Sequence, residues 1–361
     1  LKNIAGILFQ WTQECAVWQK AGAMKTSILG LTLGEVQEAL KALGHPAYRA
    51  KQIFEWLYRR KALAFSAMSN LPAELRDQLA EAFSIAQAVV QVFTSEDGTK
   101  KFRFEVGEKE FIEAVWMPDE KRNTLCISSQ VGCPMKCAFC VTGAVGYKRN
   151  LTVDEIVAQV RHVKVLEDLP VSNVVFMGMG EPLLNAKCVT QAIAVMTDHE
   201  GLGIGKRKIT VSTVGLVPEI LPFWKATDVK LAVSLTGSTE AERDYWMPIN
   251  KKYDLETLTA ELRKIPLHEG RKITFEVVLI KDRTDSLEQA LALVHALKGI
   301  PSKVNLIQYN ENPFFPDLKA PSRERVEAFR DRLIKSGIHA MVRKNRGRDI
   351  MAACGQLAGK A

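Results

Sequence analysis

No apolar stretch in this chain approaches the roughly 20 residues that a helix needs to cross a bilayer, so it offers no candidate membrane span. Cysteine is scarce and unevenly spread. There are seven in 361 residues, three of them within Cys133–Cys140. That distribution excludes the disulfide framework of a small secreted domain and suits a reducing, cytoplasmic compartment. No second C-x2-C pair and no nearby C-x-H follows those three cysteines, so the four closed ligands of structural zinc are missing. The six histidines, at 45, 162, 199, 268, 295 and 339, show no metal-binding spacing. Long repeats and low-complexity tracts are also absent. The charge excess is modest, 49 Lys and Arg against 41 Asp and Glu. The resulting net charge of +8 points to a polyanionic partner.

What is present divides the chain into stretches of different period. Residues 1–23 carry Cys15, Trp11 and Trp18 with no clear continuation into the rest, and Met24-Lys-Thr-Ser reads as a natural beginning. The expectation is that 1–23 is an upstream extension and that Cys15 has no role. Residues 24–88 read as a small helical domain. Thr32 and Glu35 have capping-box spacing, Val36, Leu40 and Leu43 form a stripe, and Gly44 ends it. A second helix holds Ile53, Phe54 and Leu57, and a third opens near Pro72. Residues 89–118 switch to period two, with a hairpin turn at Asp97-Gly98, and form a β extension.

From 119 to 345 strand and helix alternate, with strands expected at 124–129, 173–178, 208–213, 229–235, 273–280, 303–309 and 338–343. The clearest helix opens at Thr152, with Glu155 as its capping-box partner. Repeated β–α units imply an α/β fold with a parallel sheet and outer helices, a closed or partial (βα) barrel whose chemistry gathers at the C-terminal strand ends. Residues 346–361 form a tail of small residues around Cys354 that is expected to pack little. Cys188 reads as a core residue.

Cys133, Cys137 and Cys140 stand as C-x3-C-x2-C, with Phe139 before the last. Three thiolates on one loop can hold three corners of a [4Fe–4S] cluster and leave the fourth iron open to S-adenosylmethionine. Four other segments fall on the same strand ends: Gly180-Glu181-Pro182, Ser212-Thr213, Ser234 to Thr236, and Asn310.

These residues resemble the radical S-adenosylmethionine enzymes, and among them the RlmN-type adenine-C2 RNA methyltransferases. The resemblance is carried by Cys126-Ile-Ser-Ser-Gln-Val-Gly-Cys133, Gly178-Met-Gly-Glu-Pro182, Met247-Pro-Ile-Asn-Lys-Lys252 and Arg348-Asp-Ile-Met-Ala-Ala-Cys-Gly-Gln-Leu357. It implies a partial radical-SAM barrel, a cluster on Cys133, Cys137 and Cys140, and two S-adenosylmethionines per turnover. It also implies catalytic roles. Cys354 takes a methyl group that is then activated by a radical and added to C2 of the base. Glu113 accepts the C2 proton. Cys126 attacks the Cys354 sulfur, releasing the product and leaving a transient disulfide. Cofactor contacts carry over to Gly180, Glu181, Ser212, Ser234, Leu235, Thr236 and Asn310. The family usually has His-Ala-Pro where this chain has Thr236-Gly-Ser, and Asn312 competes with Asn310. The implied partners are 23S ribosomal RNA, tRNA and a flavodoxin- or ferredoxin-like electron donor, with the protein acting as a monomer. The same cysteines would also serve C8 methylation of the ribosomal adenine. A metal-stabilised RNA-binding protein without catalysis is the reading from another class.

Two expectations come from the local chemistry. A thiol acting as nucleophile suits an exposed, electropositive setting, which Arg343, Lys344, Arg346 and Arg348 could provide. Glu113, on the strand face of Phe111 and Val115, gains a useful proton affinity if that face is buried. The runs at 59–61, 148–149, 206–208, 251–252 and 343–348 suit phosphate contact.

Overall fold

The computed structural model describes residues 25–87 and 90–359, and the expected upstream extension lies outside them. The N-terminal helices are α1 (Leu33–Ala42), α2 (Arg49–Tyr58) and α3 (Ala73–Ala82). At the start of α1 the Thr32 hydroxyl accepts from the Glu35 amide, and the Glu35 carboxylate accepts from the Thr32 amide at 2.7 Å. Two otherwise orphaned donors are thereby satisfied. Val36, Leu40, Ile53, Phe54, Leu57, Leu75 and Leu79 are buried together.

Among the described residues ten strands make the main sheet. Its antiparallel part is β1 (Val90–Thr94), β2 (Lys100–Glu105) and β3 (Phe111–Met117). The parallel part is β4 (Thr124–Ile127), β5 (Asn173–Phe176), β6 (Ile209–Thr213), β7 (Lys230–Ser234), β8 (Ile273–Leu279), β9 (Ser302–Gln308) and β10 (His339–Val342). Each of the seven expected barrel strands is present. Their spatial order is their order in the chain, from β1 at one edge to β10 at the other. The sheet is therefore a partial barrel that does not close. It curls enough for Ile307 on β9 to face Val115 on β3 and Cys126 on β4 across one cavity.

The crossover connections carry α4 (Val153–Arg161), α5 (Ala186–Thr197), α6 (Val217–Thr227), α7 (Glu240–Trp246), α8 (Leu255–Arg263), α9 (Leu287–Ala296) and α10 (Arg323–Lys335). Helix α4 opens with the expected Thr152–Glu155 capping box. It also joins the helical region to the barrel. The buried Arg161 on α4 donates to the carbonyls of Leu57 and Ala62 at 2.8 and 2.5 Å. Cys188 is buried on α5, as expected. Among the described residues no helix is long and apolar enough to cross a membrane.

Candidate active site

All five polar segments meet at the C-terminal ends of the parallel strands. After β4, the chain turns back through Ser128. There the hydroxyl donates to the Glu113 carbonyl at 2.7 Å and accepts from the Met179 amide at 2.9 Å. The buried Gln159 side chain completes the turn by pairing with both the amide and the carbonyl of Ser128. These bonds fix where the cysteine loop leaves the sheet and where the Gly178–Pro182 segment crosses it.

Cys133, Cys137 and Cys140 lie on the loop before a short helix, Val141–Val145. Burial pushes the Cys133 thiol up to about 12 and also raises Cys137 and Cys140, and repulsion among the sulfurs adds to this. A cation held between them would convert them to thiolates. Among the described residues no three His, Cys, Asp or Glu side chains converge closely enough to enclose a single metal ion. Three soft donors on one loop suit three corners of an iron–sulfur cluster, whereas structural zinc is closed by four ligands.

Beside Cys140 a cavity is lined by Gly180, Glu181, Ser212, Ser234, Thr236 and Asn310. Gly180 has φ +106°, and a Cβ there would sit 2.6 Å from Gln130 Cβ, so a side chain is excluded. Gln130 in turn accepts from the Glu181 amide at 2.8 Å. The Glu181 carboxylate accepts from the amides of Leu183 at 3.0 Å and Val214 at 2.8 Å. Burial still pushes its carboxyl up to about 7. Thr236 is fully buried, and its hydroxyl accepts from the Val278 amide at 3.1 Å. Leu235, also expected at the cofactor, has its buried side chain outside the cavity wall, and its amide donates to the Glu276 carbonyl. Asn310 lines the cavity, whereas Asn312 is buried and bonded to the Tyr309 hydroxyl. Of the two, only Asn310 lines this cavity.

A second cavity adjoins the first and shares Cys140, Met177, Asn310, Arg343 and Cys354 with it. Cys126 lines only the second, beside Val115 and Met117. Arg343 lines the second cavity with both thiols, its charged form favoured first by Cys354 and then by Glu276 and Cys126. It meets the Glu276 carboxylate at 3.5 Å.

Several expectations need correction. The tail does not pack loosely. Ala352, Ala353 and Leu357 are buried, the Gly355 carbonyl accepts from the Val141 amide at 2.8 Å, and the Leu357 carbonyl accepts from Thr142 at 2.6 Å. Small residues allow the tail to lie directly against the cysteine loop. Cys126 is not exposed. Burial first, and Cys354 second, push its thiol up to about 12. Of the four expected cations, Arg343 serves the thiols, while Arg346 pairs with Asp119 and Arg348 donates to the Asn310 side chain. Glu113 is buried but lines neither cavity. Its carboxylate meets Lys101 Nζ at 3.1 Å and accepts from the amides of Ala358 and Gly359 at 3.0 and 3.3 Å, so the tail covers it. Arg149 is held by Glu110 and Glu155, each at 2.7 Å, and is not free for phosphate. The run at 206–208 is exposed.

Residues 127–294 match the Radical SAM superfamily, and residues 26–85 match the Ribosomal RNA large subunit methyltransferase N-terminal domain. The Dual-specificity RNA methyltransferase RlmN 2 of Myxococcus xanthus is 49% identical over 88% of this chain and 86% of its own length. The Dual-specificity RNA methyltransferase RlmN of Geobacter sulfurreducens is 46% identical over 92% of each chain. The chain belongs to the RlmN family of radical SAM RNA methyltransferases. The fold agrees: a radical SAM methyltransferase from Sphaerobacter thermophilus superposes with a TM-score of 0.88 at 40% identity. That match covers 93% of this chain and all of the other. Membership in the radical SAM superfamily implies S-adenosylmethionine and an iron–sulfur cluster, and an RNA methyltransferase acts on RNA.

Sequence reasoning missed Gln130, Gln159 and Arg243. Gln130 sits inside the Cys126–Cys133 motif, and that position is the signal that could have found it. Gln159 and Arg243 lie on helices whose other residues read as ordinary amphipathic pattern.

Proposed function

We propose that this protein forms 2-methyladenosine in 23S ribosomal RNA and in the anticodon arm of tRNA, acting as a monomer with a flavodoxin- or ferredoxin-like electron donor. The observation that carries the reading is the placement of Cys126, Cys354 and Arg343 around one cavity that opens onto the cofactor-lining residues. Adenine C2 lies between two ring nitrogens and is not a nucleophile, so direct transfer from a sulfonium does not serve. A carrier thiol next to a second thiol does. When bound, a [4Fe–4S] cluster on Cys133, Cys137 and Cys140, with two S-adenosylmethionines per turnover, supplies the methyl group and the one-electron chemistry that makes it reactive.

The remaining roles belong to the chain. Glu181, Ser212, Ser234, Thr236 and Asn310, with the backbone at Gly180 and Leu235, hold the cofactor. Asn310 donates to the Cys354 carbonyl at 3.1 Å and so ties the cofactor wall to the methyl carrier. Cys354 presents its methyl carbon, one hydrogen atom short after that one-electron chemistry, to C2, forming a C–C bond to the base, and the adduct would give one electron back to the same redox group. Glu113 takes the C2 proton once the tail uncovers it. The Cys126 sulfur then bonds to the Cys354 sulfur, and the sulfur–carbon bond of the adduct breaks. Its electron pair goes to the carbon, which takes a proton to become the methyl group. Arg343, in the same cavity as both sulfurs, favours the thiolate that Cys126 needs for that attack. Exposed cations at Lys206, Arg207 and Lys208 support RNA as the partner.

The test is nucleoside mass spectrometry of RNA treated with the reconstituted protein. 2-Methyladenosine is expected, and 8-methyladenosine would move the chemistry to C8. Cys354→Ala should abolish methyl loading of the protein. Cys126→Ala should accumulate a protein–RNA cross-link, and free methylated product at normal rate from that variant would contradict its role.

A further inference from the structure

Arg243, on α7, is the largest fully buried side chain of the described residues. Its Nη1 donates to the Ser234 carbonyl at 3.1 Å and to the Met247 sulfur at 3.2 Å, and its Nη2 donates to the Val214 carbonyl at 2.7 Å. Its Nε is buried with no partner. Among the described residues no carboxylate comes within ion-pair distance of it. Burying an unpaired cation is costly, so a fold with no use for the charge would be better served by methionine or leucine. Burial pushes the guanidinium down only to about 10, which leaves it charged at neutral pH.

What the charge faces is the cysteine loop. Cys137, Ala138 and Phe139 pack against Trp246 and Met247 at the end of the same helix, and the Ala138 amide donates to the Trp246 carbonyl at 3.0 Å. As a thiolate, Cys137 would be the first group to favour the charged form of Arg243, ahead of Glu240. A glycine lets the backbone after β7 pass close against α7. Gly237 has φ +86°, and a Cβ there would lie 2.7 Å from the Arg243 amide nitrogen.

We propose that Arg243 is a positioning residue of the cofactor site, serving as the buried counter-charge to the Cys133–Cys137–Cys140 thiolates while its guanidinium clasps the strand ends at Val214 and Ser234. The inference rests on the reading that those thiols hold an iron–sulfur cluster. Such a cluster with three thiolates gains negative charge on reduction, and a neighbouring cation stabilises the reduced form. Arg243 therefore holds the reduction potential up, and its backbone bonds keep the cofactor wall in register with the loop.

The experiment compares full-length wild type, Arg243→Gln and Arg243→Lys after anaerobic reconstitution, measuring iron content and then the midpoint potential by a spectroscopically monitored redox titration. Arg243→Gln removes the charge and should shift the midpoint to more negative potential. Arg243→Lys keeps the charge, so its midpoint should stay near wild type even where bonds to the strand ends are lost. If Arg243→Gln holds no iron while Arg243→Lys does, the charge is needed for cluster assembly and the proposal stands. Equal midpoints in all three proteins overturn it. So do equal shifts, or equal iron loss, in both variants, because the charge then plays no part. A wild type that takes up no iron overturns the cluster reading itself, a result distinguishable from the others.

Discussion

Glu113→Gln isolates the bond between the C-terminal tail and the barrel. The Glu113 carboxylate accepts from the Ala358 and Gly359 amides and faces Lys101 at 3.1 Å. Glutamine keeps the size and one acceptor oxygen, but it turns charge-assisted bonds into neutral ones and leaves Lys101 facing a neutral amide. Hydrogen bonds to a charged group contribute about 1.5–3 kcal/mol against about 1 kcal/mol for neutral ones. The expected loss is on the order of 2 kcal/mol, localised to the tail. That corresponds to a roughly 30-fold rise in the population of the released tail. Hydrogen exchange followed by mass spectrometry reads this directly. The peptide spanning 350–359 should exchange about 30-fold faster, while peptides from α5 and β8 keep their wild-type rates. An unchanged rate in the tail peptide would falsify the latch, and a uniform acceleration across the protein would mean that the effect is global. Because Glu113 is also the proposed proton acceptor, a tail that releases freely yet gives no product would separate the two roles.

Three further outcomes are expected. Burial and Cys354 push the Cys126 thiol up to about 12, so its deprotonated fraction rises with pH throughout the working range. Its alkylation rate in the folded protein should climb about tenfold per pH unit between pH 7 and 10, and a plateau near pH 8 would contradict the burial argument. Replacing Lys206 and Lys208 with glutamate should weaken RNA binding and flatten its dependence on salt. Arg149→Ala should leave that dependence unchanged and cost stability instead, because Glu110 and Glu155 already occupy the guanidinium; titrations at several ionic strengths distinguish the cases. Gln159→Ala leaves the buried amide and carbonyl of Ser128 unpaired, a cost of about 1–3 kcal/mol for each group. A denaturation midpoint equal to wild type would refute the role given to that side chain.

The barrel strands and the capped helices were legible because their signals are local. Alternation over a few residues, or a threonine three positions before a glutamate, is decided within one turn or one strand, and Thr32 and Thr152 cap as their spacing implies. The site was legible as far as its residues stand on strand ends in one register. What escaped was everything decided by a distant partner. Ala352, Ala353 and Gly355 look like a segment with nothing to bury, yet their small size is what admits the tail under the cysteine loop. Arg149 reads as a surface cation until Glu110, 39 positions away, is brought to it. Glu113 reads as a free carboxylate until residues 245 and 246 positions later supply their amides. Arg243 carries no pattern at all, since a single arginine on a short helix gives no hint that it points inward.

The unbroken strand order from β1 to β10 has a consequence for synthesis. Each new strand can dock beside its predecessor as soon as it emerges, so the sheet grows along one edge with few long-range searches. Cys354, proposed as the methyl carrier, is the exception. It follows the last strand and must return to meet a loop made some two hundred residues earlier. A chain halted before Cys354 would thus assemble its sheet without the thiol proposed to carry the methyl group.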